Sequence, residues 1–214
     1  MTEDKLKIAI IDYESGNLRS VQKAIEKHGA EATISSDPNV IRESDGIVFP
    51  GQGACDSSMV NLRNKSLDTA IVSIIKNKKP FLGVCLGLQL LLEESEEGLE
   101  PCLGVFKGTV KKLPSGLKIP HMGWNQVQLD TTHPVFKGIP KNANFYFVHS
   151  FYADPESESI ICGKTTYGID FCSAIAIDNV IATQFHPEKS GNIGIRIYGN
   201  FVQFVSERKA TLCI

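Results

Sequence analysis

The sequence contains no apolar run of 18 residues and no CxxC pair among its six cysteines, which argues against a membrane-spanning helix and against a thiolate metal knuckle. Net charge is also scarce. The 22 Lys and Arg nearly balance the 24 Asp and Glu to leave −2, without the basic excess that nucleic-acid binding requires, so no nucleic-acid partner is expected. Phosphate-binding motifs are missing: no GxxxxGK[ST] segment occurs, and PGQGACD lacks the third glycine of a dinucleotide fingerprint. His186-Pro187-Glu188 has the H-x-E spacing of zinc deaminases, but the obligatory P-C-x-x-C is absent because Pro101-Cys102 continues into Leu103-Gly104. No other Cys/His cluster has ligand spacing, so neither a metal nor a cofactor is expected. The opening MTEDKLKIAIID fits neither a signal peptide nor a membrane span, and the expected location is cytoplasmic, with reduced thiols.

What is present is the alternation of an α/β chain. The expected architecture is a doubly wound, mostly parallel central sheet flanked by helices, with added antiparallel strands in the C-terminal half, all in one domain over 1–214. Lys7 to Ile11 reads as a buried strand, followed by a helix that Ser15 or Asn17 caps and whose face is Leu18, Val21, Ala24 and Ile25. Gly29 ends it. Strands are expected at Ala32 to Ser35, Gly46 to Phe49 and Phe81 to Val84, with helical periodicity over Leu67 to Ile75. From Leu103 to Ile181 the segments FKGTVKKL, NFYFVHSFY, SIICGKTTYG and FCSAIAIDN are β-rich. A last strand, Val180 to Phe185, leads through HPEKSG to a helix over Ile193 to Val205.

The chemistry concentrates at two places. Gly83-Val84-Cys85-Leu86-Gly87 has the glycine spacing of a nucleophile elbow with sulfur in place of the serine oxygen, set between a strand and LGLQLLLEE, which reads as helix. A helix N-terminus and a neighbouring imidazolium both favour the thiolate. His186 follows the last strand and can reach the same sheet edge, while Glu188, two residues on in extended backbone, projects to the same side and can orient the imidazole. Cys85, His186 and Glu188 are therefore candidate nucleophile, base and orienting group for acyl transfer. The glycines of PGQG and the amide of Leu86 are candidate oxyanion donors. Taken singly, Cys55, Cys102, Cys162, Cys172 and Cys213 read as core or surface thiols, His28 and His133 as helix-end and turn residues, and His149 as ambiguous within an aromatic strand.

The ordered set FPGQG, PFLGVCLGLQLL and TQFHPEKS resembles the class I, triad-type glutamine amidotransferases over nearly the whole chain. IDYESGNLRSV, IPHMGWNQV and FYFVHSFY resemble, within that family, the glutaminase subunits of imidazole glycerol phosphate synthase. The resemblance implies that Cys85 attacks the side-chain amide of glutamine to give a γ-glutamyl thioester and ammonia. It places Gln89 in the substrate pocket, Gly51, Gly53 and Leu86 near the oxyanion, and Ser150 and Phe151 as backbone contacts to substrate. It further implies a heterodimer with a (β/α)8 cyclase subunit, HisF, which uses the ammonia to convert PRFAR to imidazole glycerol phosphate and AICAR. Asn17, Met122, Trp124, Tyr146 and Lys189 are the interface or gate candidates, and His121 positions the same loop. PGQG departs from the family pattern at Gln52, where many members carry a small apolar residue. Two other readings remain open here: a glutaminase subunit serving a paralogous synthase, and a regulatory binding subunit with a vestigial triad.

Overall fold

The computed structural model describes residues 5–14 and 16–212, so Ser15 and Cys213 lie outside the described residues. Strand β1 (Lys7–Ile11) pairs in parallel with β2 (Glu31–Ser35) on one side and β3 (Gly46–Gly51) on the other; β3 pairs with β4 (Phe81–Cys85). Each of these strands buries alternate side chains on opposite faces, as the pleat requires. Ile8 and Ile10 pack under helices α1 (Leu18–Glu26) and α6 (Gly191–Leu212). Ala9 and Ile11 face α2 (Pro38–Glu43), α3 (Cys55–Asn64) and α4 (Leu67–Lys76). Burial on both faces explains why these strands read as continuous apolar runs.

The C-terminal half extends the sheet with opposite polarity. Beyond β4 lies β12 (Val180–Thr183), still parallel, then β11 (Ile169–Ile177), β10 (Ile161–Tyr167), β7 (His121–Leu129) and β8 (Asn142–His149), each antiparallel to its neighbour. A side branch of β9 (Phe151–Pro155), β6 (Gly108–Lys112) and the two-residue β5 (Glu94–Ser95) attaches through β11. The architecture is the mixed α/β sheet expected, with its parallel part carrying the helices and its antiparallel part the C-terminal additions. No helix among the described residues is long and apolar enough to cross a membrane.

Four local expectations need correction. Helix α5 after Cys85 spans only Leu86–Gln89 instead of running through LGLQLLLEE. Leu90, Leu91 and Leu92 are all fully buried, and their carbonyls accept from the amides of Leu103, Val105 and Gly104, so a folded-back segment takes the acceptors a longer helix would use. Asn17 is the N-cap of α1 but makes no side-chain cap bond, and α6 is longer at both ends than Ile193 to Val205. Glu188 does not continue an extended strand after His186; Pro187–Lys189 form a 3-10 turn.

Candidate active site

Adjacency in the sheet assembles the site. β4 lies between β3 and β12, so the carboxyl ends of three neighbouring parallel strands deliver PGQG, Cys85 and the Gln184 to Glu188 segment side by side. Gly51 sits opposite Cys85 in the β3–β4 register. The cysteine itself takes the unusual backbone, with φ of 56° and ψ of −108° at the N-cap of α5, a strained conformation for a residue with a Cβ. The elbow's glycines serve approach: a Cβ on Gly87 would stand 1.9 Å from the Phe49 carbonyl oxygen, and one on Gly83 2.9 Å from the Gly87 carbonyl oxygen.

The His186 side chain is 2% exposed and that of Glu188 3%, with Nδ1 of the imidazole 2.8 Å from Oε1 of the carboxylate. The 3-10 turn supplies this contact where an extended backbone was expected. It is held against α6 because Gly194 has no Cβ, which would otherwise approach the Pro187 carbonyl to 2.0 Å. Strand β8 clamps the same turn: the His186 amide donates to the Tyr146 carbonyl at 2.9 Å, and the Tyr146 amide donates to the Ser190 hydroxyl at 3.0 Å. Burial opposes charge on His186, but the Cys85 sulfur and the Glu188 carboxylate outweigh it and raise the imidazole pKa to about 10. Its Nε2 is buried with no hydrogen-bond partner among the described residues, which leaves that atom for proton traffic with Cys85.

A cavity of about 340 Å³ opens over Cys85. Gly53, Leu86, Gln89, Ser150, Phe151 and Lys189 line it with the nucleophile, as do Gln52 and Glu97. Gly51 is not part of the lining; it is buried against Tyr13. The carbonyl of Phe151 is already engaged by Gln89 Nε2 at 2.7 Å and His149 Nδ1 at 2.8 Å, and that of Ser150 by the Leu113 amide at 3.0 Å. The Phe151 carbonyl thus has both acceptor positions taken, whereas that of Ser150 keeps one.

Asn17, Met122, Trp124 and Tyr146 stand apart from the lining. Met122 and Trp124, 61% and 60% exposed, are large apolar side chains on alternate positions of β7, and Trp124 packs edge-on against Tyr146 across the strands. Lys189 lies 5.9 Å over the Tyr146 ring. His121 pairs with His149 in the β7–β8 register and is buried, its Nδ1 2.9 Å from His149 Nε2. Burial lowers His121 to about 4 and His149 to about 3.

Motif reading missed several of these contributors. Gln184 donates from Nε2 to the Cys85 sulfur at 3.6 Å, and Tyr198 of α6 donates to Glu188 Oε2 at 3.3 Å. Gln184 lies inside TQFHPEKS and carried a signal by position; Tyr198, in an otherwise amphipathic helix, carried none. Cys55 and Cys102 also prove to be neighbours, their sulfurs 3.4 Å apart between the start of α3 and the segment that follows β5.

Comparison with known proteins fits this arrangement. The family model "Glutamine amidotransferase class-I" matches residues 9–203. Among curated relatives, "Imidazole glycerol phosphate synthase subunit HisH" of Dehalococcoides mccartyi (strain CBDB1) is 49% identical over 91% of this chain and 95% of its own length. The protein of that name from Geobacter sulfurreducens is 49% identical over 91% and 97%, and HisH 1 of Methanococcus maripaludis 48% over 92% and 100%. Two solved structures share the fold at low identity. A putative GMP synthase protein of Thermoplasma acidophilum has a TM-score of 0.76 at 19% identity, covering 99% of this chain and 100% of its own. PurLQS of Thermotoga maritima also scores 0.76, at 17%, covering 94% and 99%. The chain belongs to the class I glutamine amidotransferase family, among its HisH subunits.

Proposed function

We propose that this chain, read as one amidotransferase domain over 1–214, is the ammonia-producing subunit of an imidazole glycerol phosphate synthase in histidine biosynthesis. It hydrolyses glutamine through a thioester on Cys85 and passes the ammonia to a separate (β/α)8 cyclase subunit, HisF. The observation that carries the reading is the buried His186–Glu188 pair beside a cysteine held at the mouth of a substrate-sized cavity.

The reaction follows from the groups present. The Cys85 thiolate attacks the carboxamide carbon of glutamine, and backbone amides near Leu86 and Gly53 stabilise the oxyanion that develops. Gly51 contributes from behind, by seating the end of β3, from which the chain bends on to Gly53, beside Cys85. Imidazolium Nε2 of His186 gives its proton to the departing nitrogen, so that ammonia leaves and the γ-glutamyl thioester remains. Water then attacks the thioester while Nε2 takes one of its protons; the sulfur leaves as thiolate and glutamate is released. Glu188 fixes the ring so that Nε2, not Nδ1, performs both transfers. Gln89 meets the substrate with Oε1, because its Nε2 is already bonded to Phe151 and Gln184.

Ammonia that escapes into neutral water is protonated and loses its nucleophilic lone pair, so a partner has to cover the cavity mouth. The exposed Met122 and Trp124, with Tyr146 and Lys189 beside them and Asn17 on the α1 side, supply a surface for the cyclase. Lys189 is available to pair with a carboxylate of that partner. The test compares glutamate release by the chain alone, with cyclase, and with cyclase plus a bound nucleotide ligand. Release is expected to rise at each step; equal, fast release in all three would refute partner activation.

A further inference from the structure

Besides the imidazole of His186, the nucleophile's sulfur has two polar neighbours of opposite character. The carbonyl of Val148, 4.0 Å away, can only accept and so favours the thiol. Nε2 of Gln184, at 3.6 Å, donates and so favours the thiolate. A primary amide can in general face either way, and its direction is decided by the network that holds it. Here that network leaves no freedom. The Phe151 carbonyl can only accept, and Gln89 reaches it at 2.7 Å, so Gln89 has to present its NH2 group on that side. The same nitrogen lies 3.0 Å from Gln184, which must therefore offer Oε1 to it. With its oxygen committed, Gln184 turns its NH2 to Cys85. The side chain of Gln184 is 0% exposed and its backbone amide is tied to the Ser173 carbonyl at 2.9 Å, so neither end is loose.

We propose that Gln184 is a catalytic residue of the glutaminase reaction, whose side-chain N–H holds the anionic sulfur of Cys85 in place, with Gln89 fixing the direction of its amide. The proposal rests on Cys85 being the nucleophile. The N–H stabilises the sulfur when it is charged and loses strength once the thioester has made it neutral. It therefore acts twice: it enlarges the fraction of thiolate available for attack at neutral pH, and it favours sulfur as the leaving group when water cleaves the thioester. Because Gln89 also lines the cavity, a substrate that shifts Gln89 shifts the donor on the sulfur with it.

The experiment measures alkylation of Cys85 by iodoacetamide in the full-length chain, followed by peptide mass mapping, at pH 7 and on the alkaline plateau. The variants are Gln184→Met, which keeps bulk without a donor, and Gln184→Glu, which keeps an acceptor for Gln89 but faces the sulfur with oxygen. A hydrogen bond to a charged group supports a loss of roughly tenfold in the pH 7 rate for Gln184→Met, with the plateau rate within about twofold of the parent. Gln184→Glu is expected to lose more. With cyclase present, the same order is expected in kcat for glutamine, with KM moving less. A merely structural role would lower the plateau as well. Folded variants that alkylate and turn over at the parent rate overturn the proposal. The parent chain gives a reading that needs no variant: in a 15N-glutamine-labelled sample the Gln184 side-chain amide resonance should follow pH in step with the alkylation rate, and a resonance indifferent to pH and to Cys85 capping overturns the proposal. If capping Cys85 leaves glutaminase activity intact, the nucleophile assignment fails, whatever Gln184 does.

Discussion

The phenol of Tyr198 donates to Oε2 of Glu188 at 3.3 Å, on the oxygen opposite the one that faces His186. Tyr198 is fully buried; burial, reinforced by the neighbouring carboxylate, raises its pKa, so it remains a donor. The carboxylate is thereby divided between two partners and cannot rotate away from the imidazole. Replacing Tyr198 with Phe should lower kcat for glutamine about three- to tenfold with little change in KM, since a hydrogen bond to a charged group is lost without touching the cavity. Steady-state kinetics with the partner present would check it.

Glu188→Gln removes the charge that helps hold the proton on His186. The raised value of about 10 means that the folded chain keeps a proton which an unfolded histidine releases near pH 6.5. This stabilisation is present in full below pH 6.5 and is lost as the pH climbs through about 10. In Glu188→Gln the loss should still start near 6.5 but be smaller and end at lower pH, and kcat should fall about 10²–10⁴-fold, the range of general acid–base catalysis. Unfolding monitored between pH 6 and 10 reads the first effect, glutamate release the second.

The His121–His149 pair has the opposite sign. Both rings are held neutral by burial, at about 4 and about 3, while an unfolded histidine takes up its proton near 6.5. Stability should therefore fall as pH drops below 6.5 and keep falling to about 3. His121→Phe keeps the stacking on Tyr167 and Phe147 but removes one of the titrating rings, so its melting temperature should decline less steeply over that interval. Calorimetry at stepped pH distinguishes the slopes.

Gly87→Ala should be costly out of proportion to its size. The added carbon would stand 1.9 Å from the Phe49 carbonyl oxygen, a backbone atom of the neighbouring β3. Overpacking of this kind costs about 1–3 kcal/mol or more, and denaturant unfolding would show it as a lower midpoint. Trp124→Ala, by contrast, removes an exposed ring. It should leave basal glutamate release and stability nearly unchanged while reducing the stimulation given by the cyclase, because interface aromatics carry much of the binding energy.

Much of this site was legible before folding because strand order converts chain segments into neighbours. Cys85, His186 and Glu188 each stand just beyond a β-type run, and parallel strands place such positions at one edge. The length of α5 was not legible, since the helix propensity of LGLQLLLEE is overridden by the 102–106 segment capturing the carbonyls of Leu90, Leu91 and Leu92. The 3-10 turn at Pro187–Lys189 was hidden for a similar reason: the β8 clamp through Tyr146 and the closeness allowed by Gly194 are contacts over distance. Gln184 and Tyr198 act through single hydrogen bonds, which leave no periodic trace in a sequence.

The chemistry of the site depends on Cys85 as the nucleophile towards glutamine. The most direct measurement treats the full-length chain, with its cyclase partner, with an electrophilic chloroketone analogue of glutamine and maps the adduct by mass spectrometry. One equivalent is expected at Cys85, with protection by glutamine and loss of glutamate release in proportion to labelling. Persistent glutamate release from a fully labelled chain, or an adduct at another cysteine in step with inactivation, would contradict it.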